Sequence, residues 1–418
     1  MTWIQIFNIA TSVLLTLCYA YQFYYIIHAL IVEPRKFKEV VPKNRYGVLI
    51  SARNEEKVIP YLLDTIIGQT YPRELVDIYV VADNCTDNTA GVCRDKGAFV
   101  FERFNKLKVG KGYALDFLLG EIDKKCGIEY YDGYFIFDAD NLLDKNFIKE
   151  MDKCFSEGHR IITSYRNSKN YGDNWISAGY ALWFIREAKF LNNPRLLLDT
   201  SCAVSGTGFL VHSSILKEMG GWKYFMLTED IQFAVASVTK GEKIAYCHDA
   251  MLFDEQPNKF SVSWRQRLRW AKGFLQVIKG YGGKLINRIF TKRSFSAFDM
   301  LMTISPAFII TVTNALVNVG TLIYSIIFNR DAIPYLLANF GLVLLGAYGL
   351  LFIIGLITMI KEHANVRCST PKKIWSLFTF PIFMMTYIPI SIQALFSKVE
   401  WKPIEHNVSV SIDDINKK

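Results

Sequence analysis

Four long stretches of the chain carry no Asp, Glu, Lys or Arg: Met1–Val32, Met300–Phe328, Ala332–Ile360 and Ile374–Ser397. Each exceeds the roughly 20 residues an α-helix needs to cross the hydrocarbon core of a bilayer. Inside that core only a helix or a closed barrel satisfies its own backbone, so these stretches predict membrane helices. The charge of the 418-residue chain is left to its middle, and an ordinary soluble monomer is excluded. With 51% apolar and only 21% charged residues, intrinsic disorder and coiled coil are excluded as well.

The net charge is +9, and much of the excess borders the apolar blocks. Arg35, Lys36, Lys38, Lys43 and Arg45 follow the first; Lys284, Arg288, Lys292 and Arg293 precede the second; Lys361, Arg367, Lys372 and Lys373 separate the third and fourth. By the positive-inside tendency all three regions face the cytoplasm. No nucleic-acid signature accompanies the charge, so membrane lipid takes it. Eight cysteines stand singly, without C-x-x-C pairs, which fits a reducing compartment. The first block lacks a basic leader and a small-residue cleavage pattern, so it reads as a retained anchor. The sequence does not specify an oligomeric state.

The expected organisation is an anchor helix (1–32), a linker (33–45), a mixed polar and apolar region (46–273), an interfacial amphipathic segment (274–298), three membrane or re-entrant helices (299–397) and a tail (398–418). Within the central region Tyr46–Ser51, Asp77–Ala82, Ala98–Phe101 and Tyr134–Phe137 read as buried strands. The stripe Val58, Leu62, Ile66 and the run Tyr113–Ile122 read as helices. Such alternation implies a mostly parallel sheet covered on both faces, with ligands beyond the carboxyl ends of its strands.

Those ends are acidic. The first strand runs into Arg53-Asn54-Glu55, the second into Asp83, and the fourth into Asp138-Ala139-Asp140. Two carboxylates separated by one residue repel unless a cation lies between them, and hard divalent cations prefer oxygen ligands. A lone pair of this kind is more often a turn or a helix N-cap; three acidic strand ends in one unit favour a shared site. Thr228-Glu229-Asp230 precedes the apolar-periodic run Ile231–Val238 and serves either as an N-cap or as the seat of a general base. In Gln266-Arg267-Leu268-Arg269-Trp270, Gln266, Arg269 and Trp270 share a helix face. That face suits a diphosphate and a sugar ring, or equally a membrane surface.

The ordered set Asp83, Asp138-Ala139-Asp140, Thr228-Glu229-Asp230 and Gln266–Trp270 resembles the D, DxD, TED, Q(Q/R)xRW pattern of membrane-embedded family 2 glycosyltransferases, the relatives of cellulose, chitin, hyaluronan and poly-N-acetylglucosamine synthases. The resemblance implies an α/β GT-A catalytic domain, Rossmann-like with a mostly parallel sheet, joined to an α-helical transmembrane region. It implies inverting transfer of glucose or N-acetylglucosamine from a UDP-sugar onto a growing β-linked polysaccharide, the alternative being transfer of one or a few sugars to a lipid acceptor. Asp230 would be the base. Asp83, Arg53, Asn54, Glu55, Lys111, Asp138 and Asp140 would hold the donor, with Asp140 and Asp138 on a Mg²⁺ or Mn²⁺ ion. Thr228, Glu229, Gly206, Gln266, Arg267, Arg269 and Trp270 would frame the diphosphate and acceptor.

The base motif is Thr-Glu-Asp rather than the G-D-D or G-E-D of hyaluronan synthase-like enzymes. A transporter or receptor is disfavoured because the four apolar stretches hold no ionisable residue beyond His28. The resemblance further implies a multi-pass protein of the cell membrane with its catalytic domain in the cytoplasm. Phe274–Arg293 has an interfacial pattern that Gly280, Gly282 and Gly283 are expected to interrupt. Four full crossings would put both termini outside, whereas the tail motif Trp401-Lys402-Pro403-Ile404-Glu405-His406 looks ordered; a re-entrant Ile374–Ser397, interrupted by Pro381 and Pro389, would bring it inside.

Overall fold

The computed structural model describes residues 2–404, 406 and 408–416. Eight strands, β1 (Tyr46–Ala52), β2 (Val76–Asp83), β3 (Phe99–Arg103), β4 (Gly133–Asp138), β5 (Leu142–Leu143), β6 (Ile161–Ser168), β7 (Phe209–His212) and β8 (Ile244–Asp254), form one sheet in the order β3-β2-β1-β4-β7-β6-β8-β5. β3, β2, β1 and β4 are mutually parallel, as the strand–helix alternation predicts. β7 then runs antiparallel to β4 and β6, while β6 and β8 pair in parallel with a register shift between Ser164 and Tyr165. The sheet is therefore mixed. The reading above missed β6, β7 and β8.

Side-chain alternation divides the core. Val48 and Ile50 of β1 pack with Phe135 and Phe137 of β4 against the helix Ile59–Ile67 and the helix Phe147–Ser156. Leu49 and Ile136 point the other way, toward the helices Lys111–Cys126, Trp175–Glu187 and Glu229–Lys240. A strand buried on both faces needs apolar residues at every position, which is why β1 and β4 read as continuous runs.

Four helices or helix pairs are long and apolar enough to cross a membrane: Trp3–Ile31, Phe295–Phe328 (broken at Ser305), the segment Arg330–Glu362 and Thr370–Phe396. The anchor helix is tied to the rest by polar groups. Asn8 bonds Asn314 and Asn318 at 3.0 and 2.8 Å, and Tyr21 and Tyr25 donate to Asp299 at 2.9 and 2.8 Å. Arg195 grips the same Asp299 carboxylate with two nitrogens at 2.8 and 2.7 Å.

Two expectations need correction. The glycines at 280, 282 and 283 do not interrupt the helix, which runs unbroken over 33 residues, Phe260–Lys292, and crosses the proposed boundary at residue 273. Each glycine costs about 1 kcal/mol of propensity, but Val277 and Leu285 are fully buried in the catalytic core and hold the helix in place. The last apolar stretch is two helices, Thr370–Met385 and Tyr387–Phe396. Pro381 lies inside the first, and the break falls at Thr386, three residues before Pro389, whose ring would clash with the carbonyl at 385 in a continuous helix. Both ends of this pair meet the catalytic half: Lys372 donates to the Gly172 carbonyl at 2.6 Å, Trp264 to Gln393 at 2.7 Å and Lys272 to the Ala394 carbonyl at 2.9 Å.

Candidate active site

The strands β1, β2 and β4 end together, and both β1 and β2 are followed by asparagines in the left-handed region, Asn54 (φ 59°) and Asn84 (φ 55°). That region is tolerated by asparagine better than by most residues. Asn54 locks the first turn to the second by accepting from the Thr86 N–H at 2.8 Å. Asp83 closes β2 almost fully buried and is paired with Arg103 of β3. Burial raises its pKa, against the pull of Arg103 and Arg53. The guanidinium of Arg53 lies 5.7 Å from the Trp401 ring of the tail.

At the end of β4 the two carboxylates of the D-x-D have different surroundings. Asp138 is reached by the Lys111 ammonium at 2.5 Å, and its side chain remains 38% exposed. Asp140 is buried and accepts from the Glu255 N–H at 2.8 Å. Burial alone would raise its pKa, but His406, Lys169 and Arg166 together hold it below the ordinary aspartate value.

Lys111 also donates to the Gly206 carbonyl at 2.8 Å. Burial opposes its charge, yet Asp138, Glu229 and Asp230 keep it firmly protonated. Gly206 sits at φ +83°, and a Cβ there would lie 3.7 Å from Asp230 Oδ2 and 3.6 Å from Arg166 Nη1. One lysine and one glycine thus join the D-x-D to the Thr-Glu-Asp motif. Asp230 begins the helix Glu229–Lys240; burial raises its carboxyl above the ordinary range and pushes Glu229, beside it, up to about 7.

Thr228 occupies the N-cap position of that helix, but its hydroxyl makes no capping bond. It packs against Gly273, where a Cβ would come within 2.4 Å of Thr228 Oγ1, so only glycine lets the two helices approach this closely. In the Gln266–Trp270 run, Arg269 donates to the Leu227 carbonyl at 2.6 Å and adds positive charge beside Glu229 and Asp230. Gln266 Oε1 is buried without a partner. Trp270 packs edge-on against Tyr180 and Phe184. Arg267 is not brought to the acids: its Nη1 donates to the Phe383 carbonyl at 3.1 Å and to Thr386 at 2.6 Å, at the break between the last two apolar helices.

Several residues join this cleft that the sequence reading did not name. Arg166 of β6 bonds Asp254 of β8 at 2.7 Å and the Ser205 carbonyl at 2.7 Å, while its guanidinium lies over the Phe184 ring. Burial pushes Asp254 up to about 6. His406, named in the sequence reading only as part of the tail motif, is the largest addition to the site. Its Nδ1 lies 2.9 Å from Glu55 Oε1. Burial disfavours the imidazolium, but Asp140, Glu55 and Glu255 raise its pKa to about 10. The ordered look of the tail sequence was a signal; its place was not legible, because Trp401 stands 171 residues after Asp230 in the chain.

Among the described residues no three His, Cys, Asp or Glu side chains form a ready metal cage. The chemistry of the donors nevertheless fits a divalent ion. The Asp140 carboxylate is held ionised, Glu55 Oε2 is buried without a partner, and the His406 imidazolium supplies a positive charge among these acids. Mg²⁺ is commonly held by one or two carboxylates and completed by substrate phosphates rather than by an all-protein cage.

The chain is similar to several known proteins. The chain is 23% identical over 251 residues to the beta-monoglucosyldiacylglycerol synthase of Synechocystis sp., covering 58% of this chain and 50% of that one. It is 25% identical over 232 residues to the poly-beta-1,6-N-acetyl-D-glucosamine synthase of Staphylococcus epidermidis, covering 55% and 54%. It thus spans about half the length of these curated relatives. Among solved structures, the mannosyltransferase PcManGT from Pyrobaculum calidifontis, in complex with GDP-Man and Mn²⁺, superposes with a TM-score of 0.55 at 16% identity, over 94% of this chain and 99% of that one. That likeness shows the GT-A fold. The family described as glycosyltransferase like family 2 matches residues 42–273, more than half of the chain, and the chain belongs to it.

Proposed function

We propose that this family 2 glycosyltransferase moves glucose or N-acetylglucosamine from a UDP-sugar to an acceptor hydroxyl at the membrane surface, with inversion at the anomeric carbon. The observation that carries the reading is the position of Lys111, within hydrogen-bond reach of both Asp138 and the Gly206 carbonyl, with Asp230 beside Gly206. A diphosphate grip and a base therefore share one cleft.

Asp83, with Arg53, Asn54 and Glu55, takes the nucleotide end of the donor. Lys111, Arg269 and Gln266 face the diphosphate. Asp230 removes the proton from the acceptor hydroxyl, whose oxygen forms its bond to the anomeric carbon as the bond to the diphosphate breaks and its electron pair leaves with UDP. A raised carboxylate pKa strengthens that base. One displacement without a covalent enzyme intermediate inverts the configuration. Asp140 and Asp138 would hold Mg²⁺ or Mn²⁺, which when bound supplies positive charge against the leaving diphosphate, while the His406 imidazolium beside them adds its own positive charge.

A growing polysaccharide is one acceptor, in keeping with the staphylococcal relative's name. A lipid acceptor is the second reading, in keeping with the Synechocystis relative's name and with the small set of four candidate spans among the described residues. The reading places the catalytic domain in the cytoplasm, with Trp3–Ile31 and the two following spans crossing the membrane. Thr370–Phe396 re-enters, since both of its ends meet the catalytic half.

The test is UDP release by membranes or detergent-purified chain across a panel of UDP-sugars with Mn²⁺, Mg²⁺ or chelator. Release is expected with one donor and only with metal, and product sizing separates a polymer ladder from a single lipid-soluble species. No release with any UDP-sugar under either metal would overturn the donor assignment.

A further inference from the structure

A second charged cleft lies at the far end of the helix Glu229–Lys240. It has a volume of about 780 Å³ and is lined by that helix, by Glu218, Met219, Lys223 and Tyr224, and by the second half of the helix Phe260–Lys292. Asp230 and Lys240 are ten residues apart, roughly 15 Å along the helix, so this cleft is distinct from the one that holds the base.

Its charge is one-sided. Five cations, Lys223, Lys240, Lys284, Arg288 and Lys292, line it with one carboxylate, Glu218. Lys223 is paired with Asp116 at 2.8 Å, and Glu218 with Arg160 at 3.0 Å. Among the described residues no ion pair satisfies the other four cations. Arg288 Nε is buried without an acceptor. Its guanidinium crowds Gly241, the left-handed C-cap of the helix, where a Cβ would lie 2.5 Å from Nη2. The negative end of that helix accounts for one of these cations. It does not account for Lys284, Arg288 and Lys292 stacked at i, i+4, i+8, an arrangement that destabilises a helix unless an anion compensates it. Thr239, Asn287 and Thr291 add neutral hydrogen-bonding groups. The volume lies within the ~300–1,000 Å³ of small-molecule sites and exceeds what a bare ion needs.

We infer that this cleft binds a phosphate-bearing ligand, and that its occupancy couples the helix carrying Asp230 to the helix carrying Gln266–Trp270. Phosphate matches the converging cations by charge-assisted hydrogen bonds. Its source is either a soluble phosphorylated molecule or an anionic lipid headgroup, since Ile286 and Phe290, 47% and 79% exposed, project from the same helix shortly before the first C-terminal membrane segment.

The experiment uses the full chain and two probes. In detergent, inorganic phosphate is titrated against the melting temperature at constant ionic strength with saturating UDP; separately, binding to and activity in phosphatidylcholine vesicles with or without phosphatidylglycerol are measured. Stabilisation by phosphate assigns a soluble ligand, and a response to phosphatidylglycerol alone assigns the headgroup. The variant K284Q/R288Q/K292Q should weaken either response by about tenfold or more while keeping basal activity in phosphatidylcholine; K284R/K292R should retain the response. No response to either probe, or an undiminished response in the glutamine variant, overturns the inference. Because the phosphate arm reads stability rather than transfer, it stands or falls independently of the donor assignment.

Discussion

Two ion pairs, one buried and one open, set the structural and the chemical parts of this molecule apart. Arg195 and Asp299, each 1% exposed, meet through two nitrogens and two oxygens, and Tyr21, Tyr25 and Thr303 complete them. Lys111 and Asp138 meet through a single oxygen, and the aspartate is left 38% exposed. A closed pair has nothing left to offer a ligand; it fastens the anchor helix to the catalytic half. An open pair holds its charges in place and can exchange one for a substrate phosphate. The distinction is between satisfied and partly satisfied charge, and it coincides with closed and open surroundings.

Four substitutions and one profile would break or sharpen that comparison. Asp230→Asn should lower kcat by about 10²–10⁴-fold while calorimetry still finds UDP bound; lost UDP affinity would count against its role as base. Arg195→Ala should destabilise the folded chain by about 3–5 kcal/mol, because it strands Asp299, and should appear as a lower melting temperature in detergent. Lys111→Gln should do the reverse, lowering kcat by about 10²-fold with little change in melting temperature. Equal destabilisation by the two would erase the comparison. His406→Ala should raise the donor KM by about tenfold, the value of one charge-assisted contact, and a KM unchanged with metal present would remove the tail from the site. The smallest effect is in pH. Because burial raises Asp230 above the ordinary aspartate range and Glu229 to about 7, deprotonation is lost as pH falls, and the acidic limb of kcat should lie above the usual aspartate value.

Much of this was legible in advance where the physics is local. The runs that became β1, β2 and β4 announced themselves because a strand covered on both faces is largely apolar, whereas β3, a half-exposed edge strand, was legible from its aromatic and β-branched residues. The acids that end them were conspicuous for the same reason, as charge directly after an apolar run. β6, β7 and β8 escaped: β6 mixes Thr163, Ser164, Arg166 and Asn167 with its apolar residues, and β8 contains His248 and Asp249. Arg267 shows the limit within a motif. Arg269 reaches the acids, but Arg267 is two residues, about 200°, around the helix from it and faces the broken helix pair instead.

Composition and periodicity by themselves determined that the chain has membrane-spanning lengths of helix, an α/β catalytic region and acidic strand ends, since these follow from burial and from repeats of two and 3.6 residues. Only the tertiary structure decided that His406 meets Glu55, that both ends of the last helix pair meet the α/β half, and that, among the described residues, Lys240, Lys284, Arg288 and Lys292 gather without an ion-pair partner at the far end of the helix Glu229–Lys240. Contacts between residues hundreds of positions apart depend on how packed elements cross, and no local pattern encodes that.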